Sequence, residues 1–157
     1  MMTFSRNKLV GIERPNKDTF LVHGVLDDNI YGMEIDMEVR SADFEITSIN
    51  GRMKRFTNPE CPLAVPKLQN AVGLHLTQDD LTSKVNRVVG RQGCRHFANL
   101  LLECADAVMQ MAVYGEWPAQ KKAGTALSEN EFLRKQLDDI PSLRGKCMAY
   151  SSIGVQS

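Results

Sequence analysis

Gly93-Cys94-Arg95-His96 is the segment with the most chemistry per residue. It lies where a long apolar-periodic stretch begins, so Cys94 falls at the head of a helix. Backbone N–H groups at such a position lack intrahelical acceptors, and the helix dipole favours negative charge there. Thiols at helix N-termini ionise more readily and make better nucleophiles and metal ligands. Arg91 and Arg95 act in the same direction. The competing reading is a small buried residue at a tight helix start. Cys94 and His96 are two residues apart, which puts them about 200° apart on a regular helix. They can face one site only if Cys94 is at or before the cap. His96 then serves as a supporting donor or as a general acid or base.

Three other cysteines are present. Cys61 lies between Pro59 and Pro62, in a breaker cluster after the strand region, where loops often present ligands. A buried structural thiol is the alternative. Cys104 falls on an apolar stripe and is expected in the core. Cys147 is in the tail with no partner at metal spacing. Asp36 and Glu34 lie on the polar face of a strand, where the default is a solvated surface. His23 alternates out of phase with Phe20, Val22 and Leu26, so it belongs on the face away from the core. His75 lies between helical segments and reads as structural. The chain has no Cys-x-x-Cys pair, Walker loop, Gly-x-Gly-x-x-Gly or serine elbow.

The elements that must position these residues change period midway. Lys8–Glu13 and Thr19–Leu26 read as paired strands, with turn chemistry over Pro15-Asn16-Lys17-Asp18. Met33, Ile35, Met37 and Val39 alternate with Glu34, Asp36, Glu38 and Arg40, a half-buried strand. Phe44–Ile49 is another, and Asn50-Gly51 marks a turn or bulge before Arg52–Phe56. After Pro59 the period becomes helical. Pro66–Val72 predicts a short helix. Thr77 and Asp80 resemble a capping box opening Asp79–Val89, with Gly90 closing it. A longer helix is expected from Cys94 to Val113, its buried stripe being Phe97, Leu101, Cys104, Val108 and Met111. Gly115 and Pro118 end it. Ala119–Leu127 reads as a linker, and Ser128 with Glu131 caps a last helix. Strands followed by helices predict an α+β fold, an antiparallel sheet of three to five strands with helices packed on one face. The expected organisation is a single domain over 1–115 and a C-terminal extension over 116–157.

The 157 residues include 19 Lys+Arg and 19 Asp+Glu, for a net charge of +0. That balance argues against a dedicated nucleic-acid binder. A hydrophobic fraction of 43% argues against disorder. No apolar run approaches the ~18 residues of a membrane span. A cytoplasmic chain with free thiols is therefore expected, with no nucleic-acid and no membrane partner. The eight methionines would suit an adaptable apolar pocket or a homodimer surface.

The order of these motifs resembles the bacterial domain-of-unknown-function 2889 family. That pattern has paired N-terminal strands, an Asp-Met on a later strand, a Pro/Cys segment and a Gly-Cys-x-His helix start. Here these are Asp36-Met37, Cys61-Pro62 and Gly93-Cys94-Arg95-His96, with Val72-Gly73-Leu74 between them. The resemblance runs from about residue 6 to 113. Ile35 stands where the family often has His. The resemblance implies an accessory catabolic role, with aromatic or acyl substrates. More distantly, the layout is similar to iron–sulfur scaffolds of the NifU/IscU type. Their Cys-Gly-Asp loop corresponds to Glu34-Ile35-Asp36, their second cysteine to Cys61, and their helix-start ligand to Cys94. This likeness implies that Asp36, Cys61 and Cys94 converge on one metal, zinc or iron, with His96 and Glu34 moving protons. The function expected is a small metal-dependent enzyme, a lyase rather than a hydrolase, acting on a small organic substrate. The alternatives are a metal or iron–sulfur carrier and a metal-free binder of apolar ligands.

Overall fold

A computed structural model describes residues 1, 3–115 and 127–153. It divides into two compact units, Met1–Val108 and Met109–Ser157. The linker expected over 119–127 lies outside the described residues, apart from Leu127.

The first unit is built on a four-stranded antiparallel meander in the order β1-β2-β3-β4. The strands are β1 (Arg6–Asn16), β2 (Thr19–Asp28), β3 (Gly32–Arg40) and β4 (Ile46–Arg55). The alternation of β3 is observed as expected: Met33, Ile35, Met37 and Val39 are buried, and Glu34, Asp36, Glu38 and Arg40 are not. Antiparallel register aligns them with Leu26, Gly24, Val22 and Phe20 on β2. The β2–β3 ladder is therefore apolar on one face from Phe20 to Leu26. β4 runs straight through Asn50-Gly51, so the expected turn or bulge there is absent. Gly51 is there for close approach instead. A Cβ on it would collide with Leu68 Cδ1 and meet Phe97 at 3.3 Å.

The apolar face is covered by a 3-10 stretch over Cys61–Ala71 and by two helices, α1 (Leu81–Val85) and α2 (Arg95–Tyr114). The 3-10 stretch replaces the shorter helix expected over Pro66–Val72. α1 begins after Asp80 without a side-chain cap bond, so the Thr77/Asp80 capping box is not formed. It widens into a π-turn over Asn86–Arg91, and Gly90 lies inside it rather than after it. α2 buries Phe97, Leu100, Leu101, Cys104 and Val108. Each large apolar side chain buried this way contributes about 1.5–3 kcal/mol. Met111, expected on the same stripe, is exposed. Burial pushes the Cys104 thiol up to about 12, with Glu103 adding to the shift, so it stays protonated and serves as core. No described helix is long and apolar enough to cross a membrane.

Gly24 lets α2 pack directly on β2. A Cβ there would collide with Cys104 Sγ and meet Leu100 Cδ1 at 3.4 Å. Gly24→Ala should therefore lower the urea midpoint by an amount equivalent to about 1–3 kcal/mol. Adding Cys104→Ala should recover part of that loss, since it removes the colliding sulfur. Strictly additive costs in the double variant would contradict this packing.

In the second unit, α3 (Glu129–Asp139) buries Phe132, Leu133 and Leu137. Its capping box is formed as expected: the Ser128 side chain accepts from the Glu131 N–H, and Glu131 accepts from Ser128. A short 3-10 turn (Pro141–Leu143) and α4 (Met148–Ser152) follow. Cys147 is exposed just before α4.

Candidate functional site

Cys94 is the residue immediately before α2. Its carbonyl accepts the Ala98 N–H, and its own N–H donates to Val89 O at 3.0 Å. It is therefore the cap, which is the condition for Cys94 and His96 to face one site. They do: Cys94 Sγ lies 3.8 Å from His96 Nδ1. Gly93 makes this start tight, for a Cβ on it would lie 2.8 Å from Lys67 Cβ and 2.9 Å from Val89 O.

Cys61 opens the 3-10 stretch and lines a cleft of about 450 Å³ together with Cys94. Asn58, Glu60, Lys67 and Gln92 also line it. A chain of weak contacts runs between the two thiols. Thr57 Oγ1 is 3.9 Å from Cys61 Sγ and 3.3 Å from Tyr31 Oη. The Tyr31 ring packs on the His96 imidazole with centroids 4.2 Å apart. Burial holds the His96 imidazole below its ordinary range. Arg6 and Arg95 add to this, and Asp28 opposes them. The ring is thus neutral at neutral pH and able to accept a proton.

The position of Tyr31 is set by Asp28. The carboxylate of Asp28 is fully buried and accepts the Ile30 and Tyr31 N–H groups at 2.6 Å each. Arg6 Nε donates to its other oxygen at 2.6 Å. Burial alone would raise the Asp28 carboxyl. The Tyr31 and Ile30 N–H groups and Arg6 outweigh it and hold the group below the usual carboxylate range. Asp28, Tyr31 and Thr57 were not singled out in the sequence. The one local signal was the Asp27-Asp28-Asn29 cluster at a hairpin turn.

Asp36 and Glu34 do not join the thiols, so Asp36, Cys61 and Cys94 do not converge as expected. Both acids project from β3 on the sheet face opposite the one α2 covers, because Ile35 and Met37 take the buried face. Asp36 Oδ1 pairs with His23 Nδ1 at 2.7 Å, its direct cross-strand partner. Its other oxygen meets Arg52 Nη2 at 3.1 Å. His23 and Asp36 border a separate cleft of about 540 Å³ over Gly11 and Leu21. Lys54 and Arg52 hold the Glu34 carboxyl ionised, below its usual range, so it is an anchored ion-pair member away from the thiols. His23 lies off the core, as its phase predicts.

Among the described residues, one group of three His, Cys or acidic side chains has donor atoms within 4.8 Å of each other: Asp43, Glu45 and His75. A guanidinium already occupies it. Arg40 donates to Asp43 at 2.9 and 2.7 Å and also to Glu45. His75 Nδ1 meets the Asp43 carbonyl at 3.0 Å, and Glu45 bridges to His75. The cluster fastens the segment before β4 and leaves His75 structural, as expected.

The fold and site together define a small α+β protein with a thiol–imidazole pair at the head of its longest described helix. The chain matches the family of proteins of unknown function DUF2889 over residues 13–110 and belongs to that family. The matched span contains Cys61, Cys94 and His96. Searches of curated proteins and of solved structures found no match, so the layout likeness to iron–sulfur scaffolds gains no support from them.

Proposed function

We propose that this chain is a small enzyme whose reacting groups are the Cys94 thiol and the His96 imidazole, acting on a small organic substrate in the cleft shared with Cys61. The observation that carries this reading is the 3.8 Å contact between Cys94 Sγ and a neutral His96 Nδ1 at a helix head. A neutral imidazole takes the thiol proton and leaves a thiolate at the head of the helix. The thiolate then takes the proton from the carbon next to the bond that breaks, that C–H electron pair becomes the new double bond, and the imidazolium gives its proton to the departing group, so thiol and neutral imidazole are both restored. A carbon–carbon or carbon–oxygen lyase is the preferred reaction class, with an acyl or aromatic substrate.

A metal-dependent form of the same site is the second reading. Zinc bonds of about 2.3 Å to sulfur and about 2.05 Å to nitrogen place two tetrahedral ligands about 3.6 Å apart. The Cys94–His96 separation of 3.8 Å is close to that value. Cys61, from across the cleft, would be the third ligand, leaving a fourth position for substrate or water. It would have to close in, since the three donor atoms do not all lie within 4.8 Å of each other.

Alkylation of the full chain with iodoacetamide, mapped by peptide mass, tests the first reading. Cys94 should react at least about tenfold faster than the exposed Cys147. Equal rates would overturn it. Elemental analysis of the purified protein tests the second. One zinc or iron per chain, lost in Cys94→Ala and in Cys61→Ala, would establish the metal form. Visible absorption from sulfide-bridged iron would instead favour a carrier.

A further inference from the structure

The thiol cleft carries a charge pattern that the thiol and imidazole do not use. Lys67 lies on the 3-10 stretch and lines the cleft beside Gly93 and Cys94. Its stem rests against the backbone of Gly93, where an added Cβ would lie 2.8 Å from its Cβ and 3.1 Å from its Cγ. Only a glycine at 93 lets the lysine stem lie so near the cap. The Lys67 stem thus packs against the residue that precedes the reacting cysteine. Elsewhere Lys8, Lys54 and Lys84 are matched with Glu103, Glu34 and Asp80. Lys67 has no ion pair among the described residues, although Glu60 lines the same cleft.

Other observations give the same sign. α2 has no acidic residue in its first turn, so its free N–H groups are not countered by a carboxylate. Arg6 and Arg95 both bear on the neighbouring imidazole. The lining thus carries one cation, Lys67, and one acid, Glu60, and it is the lysine whose stem packs beside the Cys94 cap.

We propose that the substrate of this cleft carries a carboxylate, and that Lys67 is the residue that receives it beside the Cys94 thiol. A flexible ammonium is a point charge with three donors, suited to one carboxylate oxygen or both. With Lys67 holding one end, the carbon that gives up its proton is brought to Cys94 at the other. This inference rests on the reading of Cys94 as the reacting thiol.

Iodoacetate and iodoacetamide separate the two ideas, because they have the same reacting carbon and differ by one charge. Their second-order rates would be measured on the full chain at Cys94, with Cys147 in the same molecule as reference. The iodoacetate-to-iodoacetamide ratio at Cys94 should exceed that at Cys147 roughly tenfold. Lys67→Met should bring the ratio down to that of Cys147, and Lys67→Arg should restore most of it. Taking the ratio cancels any general change in thiol reactivity or folding. A ratio at Cys94 no higher than at Cys147, or one unchanged in Lys67→Met, overturns the role of Lys67. A Cys94 that is slow towards both reagents overturns the reacting-thiol reading itself.

Discussion

Replacing Asp28 by alanine is expected to lower the unfolding free energy by about 3 kcal/mol, one of the largest single-site losses available in this chain. The carboxylate is fully buried and makes three charge-assisted bonds, to Arg6 Nε and to the Ile30 and Tyr31 N–H groups. Truncation leaves two backbone donors and a guanidinium without their acceptor, and the penalty of unpaired groups exceeds the net worth of the bonds. Thermal or urea unfolding measures it, as a midpoint drop on the order of 10 °C. Asp28→Asn should cost less, because an amide oxygen can still accept from the turn. The pH dependence has a fixed sign. The folded-state carboxyl lies below its ordinary value of 3.8. Its stabilisation is therefore present above 3.8 and lost as pH falls through the folded value. Asp28→Asn should flatten the stability curve below pH 4. Because Asp28 also sets the turn that packs Tyr31 on His96, Asp28→Ala should slow Cys94 alkylation too. An unchanged midpoint would contradict the buried network.

Much of this arrangement was legible in local pattern, and the failures have identifiable causes. The alternation of β3 is written in residues 33–40, because one buried face forces period two on the sequence. The same parity places Asp36 opposite to Ile35 and Met37, and so away from the helix layer. The layout likeness to scaffold proteins put Asp36 with Cys61 and Cys94 against that parity, and the parity prevailed. Gly51 reads locally as a turn or bulge because glycine signals both turns and close approach. Leu68 and Phe97, which decide between the two, arrive from distant segments. The Thr77/Asp80 box failed where Ser128/Glu131 succeeded, since the chain starts α1 only after Asp80. At the site, the cap requirement for Cys94 followed from helix geometry alone, and the structure meets it. The set of Arg6, Asp28, Tyr31, Thr57 and His96 could not be read locally. Its members lie as far apart in the chain as Arg6 and His96 and meet only once the hairpins and α2 have packed.

The imidazole supplies the last and largest functional expectation. His96→Gln should slow alkylation of Cys94 by roughly 100-fold at neutral pH, the lower end of what a positioned base contributes. Glutamine retains a polar side chain of similar reach and removes the titrating nitrogen. In the parent protein the Cys94 rate should fall as His96 gains its proton. That fall lies below the ordinary histidine value of 6.5, because burial, Arg6 and Arg95 disfavour the charged ring. The acid limb assigned to His96 should vanish in the variant. Stability provides an independent readout with a defined sign. The unfolded chain takes up the proton at 6.5 and the folded chain only at lower pH. Stability is therefore full above 6.5 and is lost as pH falls through the folded value. His96→Gln removes that component, so the difference in unfolding midpoint between pH 7.5 and pH 5 should shrink. A variant that loses the stability component but keeps the parent rate profile would make His96 a packing partner of Tyr31 alone. A variant that loses both would identify the neutral imidazole as the group that takes the Cys94 proton.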